Sequence, residues 1–301
     1  MRDDKPSATA LLIARSAYYL SLDPVLGGFV PARAAELYGW FVRARGLFSR
    51  GVDRIINSKP LRPLASMLER ATVPGIRLHY ALRKRCLEEV AREALGCGIR
   101  QVVVIGAGYD TLALRLTEEF PETEFFEVDH PTTQNVKRSV IERHHPPHCN
   151  LHFIALDLAH RNLEESLLAL DEYRKEADTL FVAEGLLMYL APAEIDLILE
   201  FIRQQSGPKS RFAFTFMETQ GDGRIGFRQS SRLVEGWLRL RGESFKWGIE
   251  RARINNFLAA RGLNVKEVVT AETLRDRYLG HVRLKNLPLA EGECICLAEV
   301  S

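Results

Sequence analysis

The chain has 301 residues, 46% hydrophobic and 27% charged, with a formal net charge of +2, the balance of an ordinary soluble globular protein. That length allows one large α/β domain with additions or two small domains. No apolar run reaches the roughly 18 residues of a membrane span, the acidic start Met1-Arg-Asp-Asp-Lys-Pro6 is no secretory signal, and five irregularly spaced cysteines point to a reducing cytoplasm rather than a disulfide framework.

Residues 8–95 read as helical. Ser7-Ala-Thr-Ala10 precedes an apolar periodic run. Pro31 opens a second helix, with Leu37, Trp40, Phe41 and Leu47 at helical intervals. Pro60, Pro63 and Pro74 punctuate the next segment, and a third helix from Ile76 to Leu95 carries Arg83-Lys84-Arg85. Residues 1–100 hold 17 Lys and Arg against 9 Asp and Glu, a balance of +8 that the remaining 201 residues offset with −6. Solvated helix faces account for such an excess more simply than an anionic partner or membrane surface does. The stretch 39–57, with Trp40, Phe41 and Phe48 among Arg43, Arg45, Arg50 and Arg54, reads as core and pocket wall rather than as a membrane contact.

From residue 101 the pattern changes. Strand-like segments at 101–105, 124–128, 151–156, 179–183 and 211–216 alternate with helical segments near 111–118, 132–143, 163–174 and 193–204. Residues 218–247 interrupt the alternation with a glycine-bearing loop and an amphipathic stretch around Leu233, Trp237 and Leu240. A helix at 249–261 and strands at Leu263–Val269 and Cys294–Val300 complete the chain. The expected architecture is α/β: a doubly wound, mostly parallel sheet of seven strands, with an N-terminal helical extension over residues 1–95 and a lid-like insertion at 218–247 in the domain 96–301.

The chemistry concentrates at strand ends. Val102 to Ile105 run straight into Gly106-Ala-Gly108, after which a helix begins, as at a nucleotide-type site on the carboxyl edge of an open sheet. A dinucleotide fingerprint needs a third small residue where this chain has Thr111, and no Gly-Lys-Ser/Thr of a P-loop comes after the glycines. The next three strands end on acids: Asp129 after Glu127-Val, Asp157 before Leu158, and Glu184 before Gly185. A single acid there is as readily a helix cap, but three in succession with no phosphate-binding base fit a ligand with a ribose diol and an ammonium and no phosphate. S-adenosylmethionine is such a ligand, and its carboxylate requires a basic partner.

Together these motifs resemble the leucine carboxyl methyltransferase family and its bacterial branch of S-adenosylmethionine-dependent O-methyltransferases. The resemblance rests on Ile105-Gly-Ala-Gly-Tyr-Asp-Thr111, Phe126-Glu-Val-Asp-His-Pro131 with Lys137-Arg138, Ala155-Leu-Asp-Leu158 and Ala183-Glu-Gly-Leu-Leu-Met-Tyr-Leu190. It implies a Rossmann-like class I methyltransferase fold. It also implies that Arg83 holds the cofactor carboxylate, Gly106 and Gly108 approach the methionine part, Asp129 (with Glu127 able to share) binds the ribose, Asp157 and Leu158 flank adenine, and Glu184 lies near the ammonium. The chain departs from the family at Leu112, His130 and Glu88-Glu89, which leaves the acceptor open. Candidates for lining the acceptor site are Tyr189, His130, His79 and Tyr80, with packing the simpler role for each.

The leading expectation is methyl transfer to a carboxylate or hydroxyl of a small molecule, in the cytoplasm, without nucleic acid or stable membrane insertion. Alternatives are a protein C-terminal carboxyl methyltransferase and a non-catalytic nucleotide-cofactor-binding protein. No metal is expected: His144-His-Pro-Pro-His148-Cys149 with His152 reads as an exposed connection, because its spacing matches no tetrahedral site. Cys294 and Cys296 share one face of a strand and read as core.

Overall fold

The computed structural model describes residues 6–44, 67, 69, 71–144, 148–231, 236, 243–280 and 284–301. The expectations for Phe48, Arg45, Arg50 and Arg54, and for Leu233, Trp237 and Leu240, lie outside these residues. Among the described residues, the helices α1 (Ala8–Ser21), α2 (Ala32–Arg43) and α3 (Ile76–Gly96) precede the sheet. Ser7 caps α1 by accepting the Ala10 N–H at 3.1 Å, and Pro31 immediately precedes α2, where its fixed φ suits a helix start.

The sheet then forms from β1 (Gln101–Ile105), β2 (Glu124–Asp129), β3 (Leu151–Ala155), β4 (Thr179–Ala183), β5 (Arg211–Met217), β6 (Leu263–Val269) and β7 (Glu293–Val300). Its seven strands run in the order β3-β2-β1-β4-β5-β7-β6, with β7 antiparallel to both of its neighbours. The connecting helices are α4 (Leu112–Glu119), α5 (Pro131–His144), α6 (Leu163–Leu168), α7 (Pro192–Gln204), α8 (Ile254–Ala259) and α9 (Ala271–Tyr278).

Period-2 alternation sorts each buried strand between two apolar cores. Val102 and Val104 face a core shared with α1 to α4, while Val103 and Ile105 face one shared with α7 and α8. The N-terminal helices therefore share one apolar core with the sheet, with Leu11, Leu37, Phe41 and Leu82 buried alongside Val102. Cys294 and Cys296 are buried in β7, as their alternation requires.

Three elements differ from the sequence expectation. The helix expected over 163–174 ends at Leu168, because Leu170 and Tyr173 continue as i→i+3 turns while the Tyr173 hydroxyl donates to the Gln205 carbonyl at 2.7 Å. The segment 249–261 divides into a 3₁₀ turn, Arg251–Arg253, and the short α8. Helix α9 has no counterpart among the expected elements; Thr270 caps it by accepting the Thr273 N–H, a local signal that its scarce apolar residues obscure.

Candidate active site

Strand order reverses between β1 and β4, and the carboxyl ends of the strands there open into a cavity of about 220 Å³. Doubly wound sheets place ligands at this switch point. Of the residues expected to contact the cofactor, Arg83, Gly106, Gly108, Asp129, Asp157, Leu158 and Glu184 line this one cavity. So do two of the four acceptor-side candidates, Tyr189 and His130.

The glycine turn is built for close approach. Gly106 and Gly108 have φ of +72° and +49°, and a Cβ on Gly106 would stand 2.8 Å from the Leu186 side chain. The Gly106 N–H donates to the Val128 carbonyl at 2.8 Å, and the Gly108 N–H donates to the Asp129 carboxylate. Turn and acid thus form a single unit between β1 and β2. Burial pushes the Asp129 carboxyl above its ordinary range, with the Gly108 N–H opposing it.

Glu127 takes no part in this surface. It is fully buried within β2 with Nζ of Lys137 at 2.7 Å and does not line the cavity. Glu127 and Asp129 point the same way, but only Asp129 stands at the carboxyl end of β2, where the cavity opens.

Asp157 accepts the Ala159 N–H at 3.0 Å and faces His130 Nε2 at 3.4 Å. His130 Nδ1 is 2.9 Å from Thr132 Oγ1. His130 therefore belongs to the β2–β3 side of the cavity. Tyr189, in the 3₁₀ turn Leu187–Tyr189, occupies the opposite side with its ring 5.4 Å from that of Phe245. Burial pushes its hydroxyl well above the ordinary value of 10, so Tyr189 is a neutral hydrogen-bond donor at pH 7.

The other two candidates, His79 and Tyr80, do not line the cavity and take the simpler packing role. His79 is buried with Nε2 2.8 Å from Glu293, and Tyr80 lies under Arg83, whose guanidinium is 4.8 Å from its ring centre. Both occupy the layer behind the site.

Arg83 is not a surface residue. It donates to Glu184 and Glu293 at 2.6–2.9 Å. Its neighbour Lys84 reads in sequence as part of an exposed basic run, yet its Nζ lies 2.7 Å from Asp110 and 3.0 Å from Glu184 and lines the cavity. Only Arg85 of the three faces solvent, paired with Glu89. Asp110 likewise carries no role in the sequence reading; it accepts the Leu112 N–H at 2.8 Å at the start of α4 and meets Lys84 with its other oxygen. Helical geometry could have found Lys84, since consecutive residues differ by about 100° and both can edge one buried face.

Two further elements close the cavity. Ser7, Thr9 and Ala10 from the first turn of α1 line it, as do Glu243, Ser244 and Lys246. The Glu243 carboxylate accepts from the N–H groups of Ala8 and Thr9, each at 3.1 Å, and from both hydroxyls of Ser7 and Thr9. An acid at a helix N-terminus is electrostatically favourable, so this contact ties the two covering elements together.

Acid should weaken one support of this site in a defined window. Burial raises the Glu293 carboxyl, but Arg83 and His79 outweigh it and hold it at about 2, below its ordinary 4.5. A depressed carboxyl contributes stability that is complete above the unfolded value and is lost as pH falls through the folded one. In urea denaturation, the stability gap between the wild type and Glu293→Gln is therefore expected to be widest above pH 4.5 and to close toward pH 2. A gap that widens on acidification would contradict this.

An open seven-stranded sheet with one antiparallel strand next to its edge, and a glycine turn flanked by strand-end acids, defines the class I methyltransferase fold. The chain belongs to the leucine carboxyl methyltransferase family, whose model matches residues 8–203. A putative S-adenosyl-L-methionine-dependent methyltransferase of Mycobacteroides abscessus is 31% identical over 217 residues, 67% of each chain. One of Streptomyces coelicolor is 36% identical over 143 residues, 47% of this chain and 49% of its own. The chain thus spans about half the length of several curated relatives it matches. Among solved structures, a putative methyltransferase from Thermobifida fusca aligns over 100% of this chain and 97% of its own at 15% identity, with a TM-score of 0.56, and shares the fold.

Proposed function

We propose that this protein is an S-adenosylmethionine-dependent O-methyltransferase acting on a small molecule, with a carboxylate as the favoured acceptor. The observation that carries the reading is the donor set of the cavity. Acids stand at the ends of β2, β3 and β4, two cations stand on α3, and the glycine turn leaves room that a Cβ would fill. That set fits a ribose diol, an ammonium and a carboxylate, and it offers no cradle for a pyrophosphate.

In this reading Asp129 holds the ribose hydroxyls, Asp157 and Leu158 flank adenine, and Gly106 and Gly108 admit the methionine chain. Glu184 meets the ammonium, and Arg83 meets the carboxylate. When bound, the cofactor supplies a methyl group on a positively charged sulfur, a leaving group that needs no further activation. The chain's own residues then have to hold the acceptor in line and exclude water, and such positioning can supply about 7–11 kcal/mol. The first turn of α1 and residues 243–246 cover the Tyr189 side, so this side is assigned to the acceptor. Tyr189, held protonated, donates a hydrogen bond and cannot act as a base. A carboxylate acceptor is already anionic at pH 7 and requires none.

Calorimetry with S-adenosylmethionine against NAD tests the cofactor, with binding expected for the former alone. A labelled-methyl transfer screen over carboxylic acids and phenols tests the acceptor, with base-labile methyl esters expected. NAD binding in place of S-adenosylmethionine would overturn the reading, and transfer confined to phenols would overturn the carboxylate preference.

A further inference from the structure

Arg83 sits where α3, the end of β4 and the start of β7 meet. One nitrogen, Nη1, donates to both oxygens of Glu293 at 2.7 and 2.8 Å. The edge formed by Nε and Nη2 donates to a single oxygen of Glu184 at 2.9 and 2.6 Å. Glu293 is gripped a second time from α3, by His79, one turn before Arg83, with Nε2 at 2.8 Å. The side chains of His79, Arg83 and Glu293 are at most 3% exposed, and Glu293 does not line the cavity. It opens the closing strand β7, well beyond residue 203 where the family match ends.

We propose that Glu293 is a positioning residue for the amino-acid end of the cofactor, acting through Arg83; this rests on the site being an S-adenosylmethionine site. The planar guanidinium has distinct edges, and what each edge binds fixes its orientation. With Glu293 on Nη1, the edge presented toward Glu184 and the cavity keeps an N–H of Nη2 beyond its Glu184 contacts. Without Glu293, Glu184 would be drawn fully onto Arg83, and the cation and acid needed for a zwitterionic ligand would quench each other.

The test uses S-adenosylhomocysteine and 5′-methylthioadenosine, which share adenine, ribose and sulfur and differ in the amino-acid end. In calorimetry, Glu293→Gln is expected to weaken S-adenosylhomocysteine about tenfold, the scale of one charge-assisted contact, while 5′-methylthioadenosine changes less than about twofold. Glu293→Asp keeps the charge but withdraws the carboxylate by one methylene, and the same pattern is expected; it decides the question if the glutamine variant does not fold. Equal losses for both ligands would make Glu293 a purely structural residue, and no loss for either would remove its role; both results overturn the proposal. A wild-type protein that binds neither ligand would instead overturn the cofactor reading itself.

Discussion

Asp129→Ala is expected to weaken S-adenosylmethionine binding about 100-fold and to reduce methyl transfer at low cofactor by the same factor. Hydrogen bonds to a charged group contribute about 1.5–3 kcal/mol each, and about 1.4 kcal/mol is a factor of ten. Two hydroxyls of one diol on one carboxylate therefore reach at least two decades. The effect is local, because Asp129 lines the cavity while its carboxylate also receives the Gly108 N–H, so its removal also loosens the glycine turn. Asp129→Asn retains an acceptor oxygen and is expected to lose about tenfold, since a neutral hydrogen bond is roughly half as strong as a charge-assisted one. Affinity of the alanine variant within about threefold of wild type would remove Asp129 from the cofactor site.

Lys137→Met is expected to lower the unfolding free energy by about 3–5 kcal/mol, the cost of leaving a buried charge without its partner. Lys137 and Glu127 are both fully buried, 2.7 Å apart. Burial already pushes the Glu127 carboxyl above its ordinary range, with Lys137 as the main opposing influence. Glu127→Leu should cost a similar amount. The double variant should recover most of the loss, because apolar side chains of similar volume often replace a buried pair at little cost. Urea denaturation of the two single variants and the double variant measures this. A single-variant loss below about 1 kcal/mol would show that the pair is not structural. In the folded fraction, cofactor affinity is expected to stay near wild type, separating Glu127 from Asp129 two residues later.

Most of the sheet is legible in the sequence. The buried runs Val102–Ile105 and Leu180–Ala183 carry their own signal, and the glycines at 106 and 108 mark where the first one must stop. Helix lengths were less legible where local turns compete. The segment after Leu168 has helical composition, but the pull of Tyr173 toward Gln205 decides its path. Strand-end acids were visible as a set because parallel strands deliver their last residues to one edge.

Which acids reach the cavity was a different matter. Glu127 and Asp129 share a face, and only the position of the sheet edge separates a structural ion pair from a cavity wall. Lys84 looks like one charge of an exposed run until the packing of α3 sets it between Asp110 and Glu184. Glu293, in the last strand, gave no sequence signal for a role near Arg83, because nothing local relates residues 210 positions apart.

The sequence alone determined the α/β alternation, the glycine turn and the order of strand-end acids, since these follow from periodicity and from what glycine and proline permit locally. Only the tertiary structure decided the partners of those charges. Where a charged side chain ends up depends on burial and on which distant groups the crossovers bring within hydrogen-bond reach. The cavity's acids and cations are held by residues from α3, the turn after β4 and the start of β7 together, an arrangement that exists only once the sheet has assembled.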